Sequence, residues 1–178
     1  MKSAAPILLA ALAAGSLWAE ETRFGVQLQV ASPRGDLKQF VDGNLGPGLG
    51  LHATLDLGDG QLLRPRLDYT SLPEATFGAR RQRATSLSLG SDYLFFVEGK
   101  PEGLYFTLGL AAMHWSLQTT QATQATGQTT TASTRSGLSF GIGYLWTETL
   151  GTELRYGHSR VSQVFSASTL QAEVTLRF

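Results

Sequence analysis

From residue 24 onward, apolar and polar side chains alternate in about eight runs of roughly ten residues each, which is the length of a tilted membrane strand. A period of two belongs to a β-strand with one apolar and one polar face. The last run, "STLQAEVTLRF", sets Leu170, Ala172, Val174, Leu176 and Phe178 against Thr169, Gln171, Glu173, Thr175 and Arg177. The first, "RFGVQLQVA", sets Phe24, Val26, Leu28 and Val30 against Gly25, Gln27 and Gln29. "LRPRLDYT" does the same with Leu63, Pro65, Leu67 and Tyr69 against Arg64, Arg66, Asp68 and Thr70. Helical spacing never persists, so the chain reads as all-β.

The amino terminus is different. Lys2, an apolar run from Ala4 to Ala14 and small residues ending at Ala19 have the layout of a secretory signal, cleaved after Ala19 to leave residues 20–178 as one domain. That run is too short to span a bilayer, which takes roughly 20 apolar residues. No comparable run follows, so entry into a membrane would be by strands alone. The chain has no cysteine, which excludes disulfides, thiol catalysis and a lipid anchor on cysteine. Lys+Arg and Asp+Glu are both 14, and the absence of a basic excess argues against nucleic acid.

The connections alternate in length. "GDGQ", "EGKPEG" and "TETLG" are short, whereas "SPRGDLKQFVDGNLGPG", "SLPEATFGARRQR", "QTTQATQATGQTTTASTRS" and "RVSQVFSA" are longer. Strict alternation puts the short turns at one rim of an eight-stranded antiparallel up-and-down barrel and the long loops at the other. A Greek-key sandwich gives no reason for it. The Thr/Gln/Ala stretch has almost no charge and few large apolar groups, so it is expected to be a mobile outer loop.

Periodicity alone does not say whether the apolar face turns inward around a ligand or outward to lipid. Residue size favours lipid: the polar face is rich in Gly, Ser and Thr, as a narrow interior requires. Aromatic residues favour it too. Phe24, Phe95, Phe106, Tyr144, Trp146 and Phe178 fall at the short-turn rim, and Tyr69, Trp115, Tyr156 and Phe165 near the long-loop rim, as two interfacial girdles would. The reading is therefore a transmembrane β-barrel. The closing strand "LQAEVTLRF", with its final aromatic, resembles the terminal strand of Gram-negative outer-membrane proteins, and the strand count and loop asymmetry resemble the OmpA-like and OmpX-like small barrels. The resemblance implies an outer-membrane location and contact with outer-membrane lipids and lipopolysaccharide. It also implies an assembly signal in Leu170, Val174, Leu176 and Phe178 for the barrel assembly machinery, and a monomer.

A polar face turned inward must pair its charges, because an isolated buried charge costs several kcal/mol. An interior network is expected from His52, Asp56, Arg64, Arg66, Asp68, Asp92, Glu153, Arg155, Glu173 and Arg177. A three-residue loop "DGQ" pairing Gly58 with Leu62 would set Asp56 opposite Arg64, Thr54 opposite Arg66 and His52 opposite Asp68; Arg155 would oppose Glu173. Such a network plugs an eight-stranded lumen and leaves little room for conductance.

Catalytic and metal signals are weak. His52, His114 and His158 lie on separate runs with no ligand spacing, and "DLGDG" lacks the later glutamate of a calcium loop, Leu67 standing there. Neither a metal nor another cofactor is expected. In "YGHSRVSQ" the adjacent His158 and Ser159 point to opposite faces, which disfavours the serine–histidine pair of barrel enzymes that hydrolyse lipid A esters. "GARRQR" offers Arg80, Arg81 and Arg83 for lipopolysaccharide phosphates, against the plainer reading of a solvated basic loop. The function expected is structural or surface-interactive, by binding or adhesion through the long loops. A lipid A acyl hydrolase and a narrow channel remain as rivals.

Overall fold

The computed structural model describes residues 22–121 and 127–178, so the expected signal at 1–19 lies outside the described residues. Eight strands follow one another around a single closed sheet: β1 (Thr22–Arg34), β2 (Gly46–Gly58), β3 (Gln61–Phe77), β4 (Arg80–Phe96), β5 (Gly103–Gln121), β6 (Gln128–Leu145), β7 (Leu150–Arg160) and β8 (Ser166–Arg177). Every neighbouring pair is antiparallel, and β1 closes on β8 from Gly25↔Arg177 to Arg34↔Ser168. Beyond the last rung, Phe178 N–H donates to the Phe24 carbonyl at 2.8 Å and Phe24 N–H to the Phe178 carbonyl at 3.2 Å. The closing seam thus holds to the final residue.

The apolar face is outside. Each strand contributes to one belt, with Leu28, Leu51, Leu67, Leu89, Leu108, Phe140, Leu154 and Val174 all exposed and Leu108 62% accessible. Soluble monomers rarely expose a contiguous apolar patch above a few hundred Å². A belt that runs around the whole circumference suits hydrocarbon. The polar face is inside, where Arg64 and Asp92 are 0% accessible.

Several details depart from the sequence reading. The β2–β3 turn has two residues, Asp59 and Gly60, both at positive φ, as Asp-Gly hairpins prefer. With the irregularity between Asp56 and Gly58, this slides the register by two residues: His52 faces Arg66, and Asp56 faces Leu62 rather than Arg64. A two-residue slip preserves which face is inside but changes every partner. On β7 and β8, Glu153 faces Glu173 and Arg155 faces Gln171.

The long connections are also more ordered than expected. β3 and β4 pair out to Phe77↔Arg80, so Arg80, Arg81 and Arg83 stand on a strand and not in a loop. A shift between Leu72 and Ala75 hides the alternation there. β5 and β6 pair out to Thr120↔Gln128, so much of the Thr/Gln stretch is a hydrogen-bonded ribbon, with residues 122–126 outside the described residues. Threonine suits a strand, and backbone pairing orders a ribbon that its side chains alone would not.

The first long connection carries one short helix, α1 (Gly35–Phe40), which the sequence reading missed. Leu37 from it and Val41 just after it are fully buried against Ala31, Leu72, Ala84, Trp115, Leu117, Val161 and Ala167. Trp115 therefore lies within the outer mouth and Phe165 packs on this cluster, so neither belongs to a lipid-facing girdle. Trp115 Nε1–H donates to Ser159 Oγ at 2.9 Å, which satisfies the indole inside the barrel.

Two outcomes test this arrangement. Leu108→Arg, placed in the middle of the apolar belt, should cost about 2–4 kcal/mol in denaturant unfolding from lipid vesicles; a water-facing position would register almost no change. The second concerns α1, whose Asp36 Oδ2 accepts from the Ser166 N–H at 2.9 Å and the Ser166 hydroxyl at 3.0 Å. These bonds hold its carboxyl below the usual aspartate value. A carboxyl whose folded pKa is depressed holds its tether above the unfolded value and loses it as the pH falls through the folded one. Hydrogen exchange at the Ser166 amide should accordingly speed up in strong acid, and in Asp36→Asn at every pH.

Candidate functional site

The centre of the lumen is a dense ionic network. Arg64 Nη2 donates to Asp92 Oδ2 and to Glu153 Oε2, each at 2.8 Å. Arg66 Nε reaches Asp92 Oδ1 at 3.0 Å, and its Nη1 pairs with Asp68 Oδ2. Arg155 Nη2 lies 3.0 Å from Asp92, 2.8 Å from Glu153 and 3.3 Å from Glu173. Asp92 is the hub, since three guanidinium groups meet on one carboxylate. Gly109 makes the space: a Cβ there would collide with the Asp92 carboxylate and the Ser139 hydroxyl.

The expected interior residues fall into three groups. Arg64, Arg66, Asp68, Asp92, Glu153, Arg155 and Glu173 are brought together by ion pairs. His52 and Arg177 face inward but stand apart, with both His52 ring nitrogens and the Arg177 Nε and Nη2 lacking hydrogen-bond partners. Asp56 is outside the network, because the shifted register carries it to the turn, where it accepts from the Gly58 N–H at 2.8 Å. Glu173 meets Arg155 across a diagonal and not as a direct partner.

Other members went unread in the sequence. Gln27 Nε2 and Ser88 Oγ donate to Asp68 at 2.7 and 3.1 Å, and Tyr105 OH and Thr107 Oγ1 to Glu153 at 3.1 and 3.2 Å. All four share the parity of the polar face, which was the available signal. The lumen is also capped by apolar groups: the α1 cluster at the outer mouth, and Leu62, Leu94, Phe96, Tyr105 and Leu145 at the inner one. Between them, the space bounded by residues including Arg66, Asp68, Ser139 and Arg155 is about 10 Å³, close to what a single water needs. An interior crossed by ion pairs and closed by apolar groups at both mouths opposes a channel.

At the outer rim, β3, β4, β5 and β6 continue past their shorter neighbours as a four-stranded sheet. β2 pairs with β3 only up to Gly48↔Thr70, and β7 with β6 only up to Gly137↔Ser159. Charge is sorted along the barrel axis. The outer end carries Arg34, Lys38, Arg80, Arg81, Arg83, Arg135 and Arg160 against Asp36, Asp42 and Glu74; the inner end carries Asp56, Asp59, Glu98, Glu102 and Glu148 against Arg23 and Lys100, among the described residues. The basic trio is split by the pleat. Arg81 and Arg83 continue the lipid-facing column of Leu89 and Leu87, while Arg80 lies on the opposite face. Arg83 Nη2 donates to Ser71 Oγ at 3.1 Å, and Arg81 Nε sits 3.7 Å from Glu74.

His158 Nδ1 lies 2.9 Å from Ser168 Oγ across the β7–β8 ladder, and His114 Nδ1 lies 2.8 Å from Thr134 Oγ1 across the β5–β6 ladder. The same cross-strand bond at two separate sites marks an ordinary pairing of sheet neighbours. Among the described residues no group of three or more potential ligands could hold a metal. In the closing strand, Val174, Leu176 and Phe178 point outward, Phe178 at 76% exposure, and Leu170 is half-buried.

The network makes Asp92 the costliest carboxylate to remove. Asp92→Ala should lower stability by about 3–5 kcal/mol, the range for an uncompensated buried charge. Arg83→Ala, at the rim, should fall within the 0–1 kcal/mol of an exposed polar contact. Equilibrium unfolding in detergent micelles compares the two.

Comparison with known proteins agrees with this geometry. The chain is similar in fold to Ail, the attachment invasion locus protein of Yersinia pestis, at 12% identity and TM-score 0.64, covering 88% of this chain and 97% of Ail. The N-terminal barrel domain of Pseudomonas aeruginosa OprF aligns at 15% identity and TM-score 0.61, covering 89% of this chain and all of that one. Neisserial surface protein A aligns at 18% identity and TM-score 0.58, covering 88% and 97%. No curated protein matches the chain. The model of the outer membrane protein beta-barrel domain matches residues 4–178. With that match and its closed eight-stranded architecture, the chain belongs to the outer-membrane β-barrel family and resides in the outer membrane of a Gram-negative-type bacterium.

Proposed function

We propose that this barrel is a surface-binding protein and that its outer sheet engages anionic glycans. The observation that carries the reading is the concentration of arginine on the part of the barrel that projects beyond the apolar belt. Guanidinium groups pair bidentately with phosphate and sulfate, and a field of one sign speeds encounter with a polyanion. Arg81 and Arg83, on the lipid-facing column just above Leu87, suit the phosphates of lipopolysaccharide in the same leaflet. Arg80 and Arg135 stand where a second surface would approach. Ail, similar in fold, forms a crystal complex with the heparin analogue sucrose octasulfate. A sealed lumen opposes transport, and no serine stands two residues from His158 on the lipid face, so binding is favoured over transport and over lipid A hydrolysis.

The closing strand supports a second element of the reading. Val174, Leu176 and Phe178 present an unobstructed apolar edge at the seam, the form of signal that assembly machinery would read on an unfolded chain.

Replacing Arg81 and Arg83 together by alanine should weaken retention of lipopolysaccharide by the purified barrel, whereas Arg80→Ala should leave it unchanged. Replacing Arg80 and Arg135 should instead weaken retention on a sulfated-glycan column. Heat-modifiable migration on a gel verifies folding of each variant. Equal retention by all of them would overturn the proposal. Removal of Phe178 should lower the amount of folded barrel in the outer membrane without changing its stability once folded by much.

A further inference from the structure

The inner mouth contains a feature that neither the network nor outer-surface binding uses. Beneath the apolar cap lies a cavity of about 310 Å³, with Leu62 and Leu145 on its floor and Arg23, Lys100 and Arg177 among its walls. Arg177 is 95% buried, its accessibility being 5%, and its Nε and Nη2 find no hydrogen-bond partner. The carboxylates around it make their contacts elsewhere. Asp92 and Glu153 are held by Arg64 and Arg155. Glu148 pairs with Arg23 at 3.3 Å, and Asp56 accepts from its own turn. Among the described residues no carboxylate lies within ion-pair distance of Arg177. A buried guanidinium lacking hydrogen-bond partners is expensive, and the group that relieves it most fully is an anion with two oxygens.

We infer that this vestibule binds a singly charged oxyanion, a carboxylate or a phosphate ester, on the Arg177 guanidinium. Nε and Nη2 lie on one edge of the planar group, the fork that a carboxylate or phosphate matches; both are closed off from the cavity in this structure, so the guanidinium turns toward it to receive the ligand. Lys100 on the β4–β5 turn adds positive charge at the entrance. Asp56 and Glu102 in the same wall repel a second negative charge, which selects against a dianion. Leu62 and Leu145 provide an apolar floor for the alkyl part of the ligand. Entry is from the periplasmic side, since the cavity opens among the short turns.

The test uses the mature barrel in dodecyl maltoside, which carries no phosphate, and follows the Arg177 Nε–H resonance by nuclear magnetic resonance. Acetate and dimethyl phosphate should each shift that resonance saturably, and chloride at equal ionic strength should not. Arg177→Gln should weaken binding by about tenfold or more, and Lys100→Gln by a smaller factor. Saturation by phosphatidylglycerol mixed into the micelle, without response to either soluble probe, supports the same site with a lipid headgroup as its source. A response equal to that of chloride overturns the inference. If Arg177→Gln fails to fold, the wild-type titration decides alone. Failure here leaves the outer-surface reading intact, because the arginines tested there are at the opposite end of the barrel.

Discussion

In hydrocarbon no water is available to a backbone amide, so each N–H and C=O must find a partner within the protein. An open sheet fails this at its edges, and closure of β1 on β8 removes them. The rest of the structure follows from that ring. It compels alternation, because one side of every strand meets lipid and the other a narrow lumen. It also explains why pairing persists to Phe178, at the seam where an unmatched rung would otherwise face lipid.

Closure creates a second problem. The interior of an eight-stranded barrel is just wide enough for side chains, so whatever points inward is buried. Four guanidinium groups and four carboxylates face the lumen, and three of the former converge on Asp92. Buried charges cost desolvation, which attraction offsets only with good geometry. Small residues such as Gly109 make that geometry possible by clearing space for the long side chains. The apolar groups at both mouths complete the seal, and their presence moves any interaction with other molecules to the rims.

Above the belt the requirement relaxes. Strands β3 to β6 extend into water, where open edges are tolerated and polar ribbons are stable by backbone pairing alone. There the charge is basic, and at the other rim acidic. A protein of zero formal charge therefore has an axial dipole of charge that its composition conceals.

The all-β class, the strand count, the inside and outside faces and most of the buried ionic residues were legible in the chain, because a period of two survives any tertiary context. The alternation in β3, with Arg64, Arg66 and Asp68 opposite Leu63 and Leu67, was sufficient to assign faces. Partners were not legible. One Asp-Gly turn and one irregularity slid β2 by two residues against β3, which removed Asp56 from the network and set His52 beside Arg66. Nor did sequence locate α1, whose six residues fold because Leu37 and Val41 fill the outer mouth. Trp115 has the parity of the inner face, yet its role as a plug required knowing what lies above it. Which face each side chain takes is a local property of the strand, set by alternation; which atom each side chain meets is decided by turn geometry and closure, and only the folded barrel holds that information.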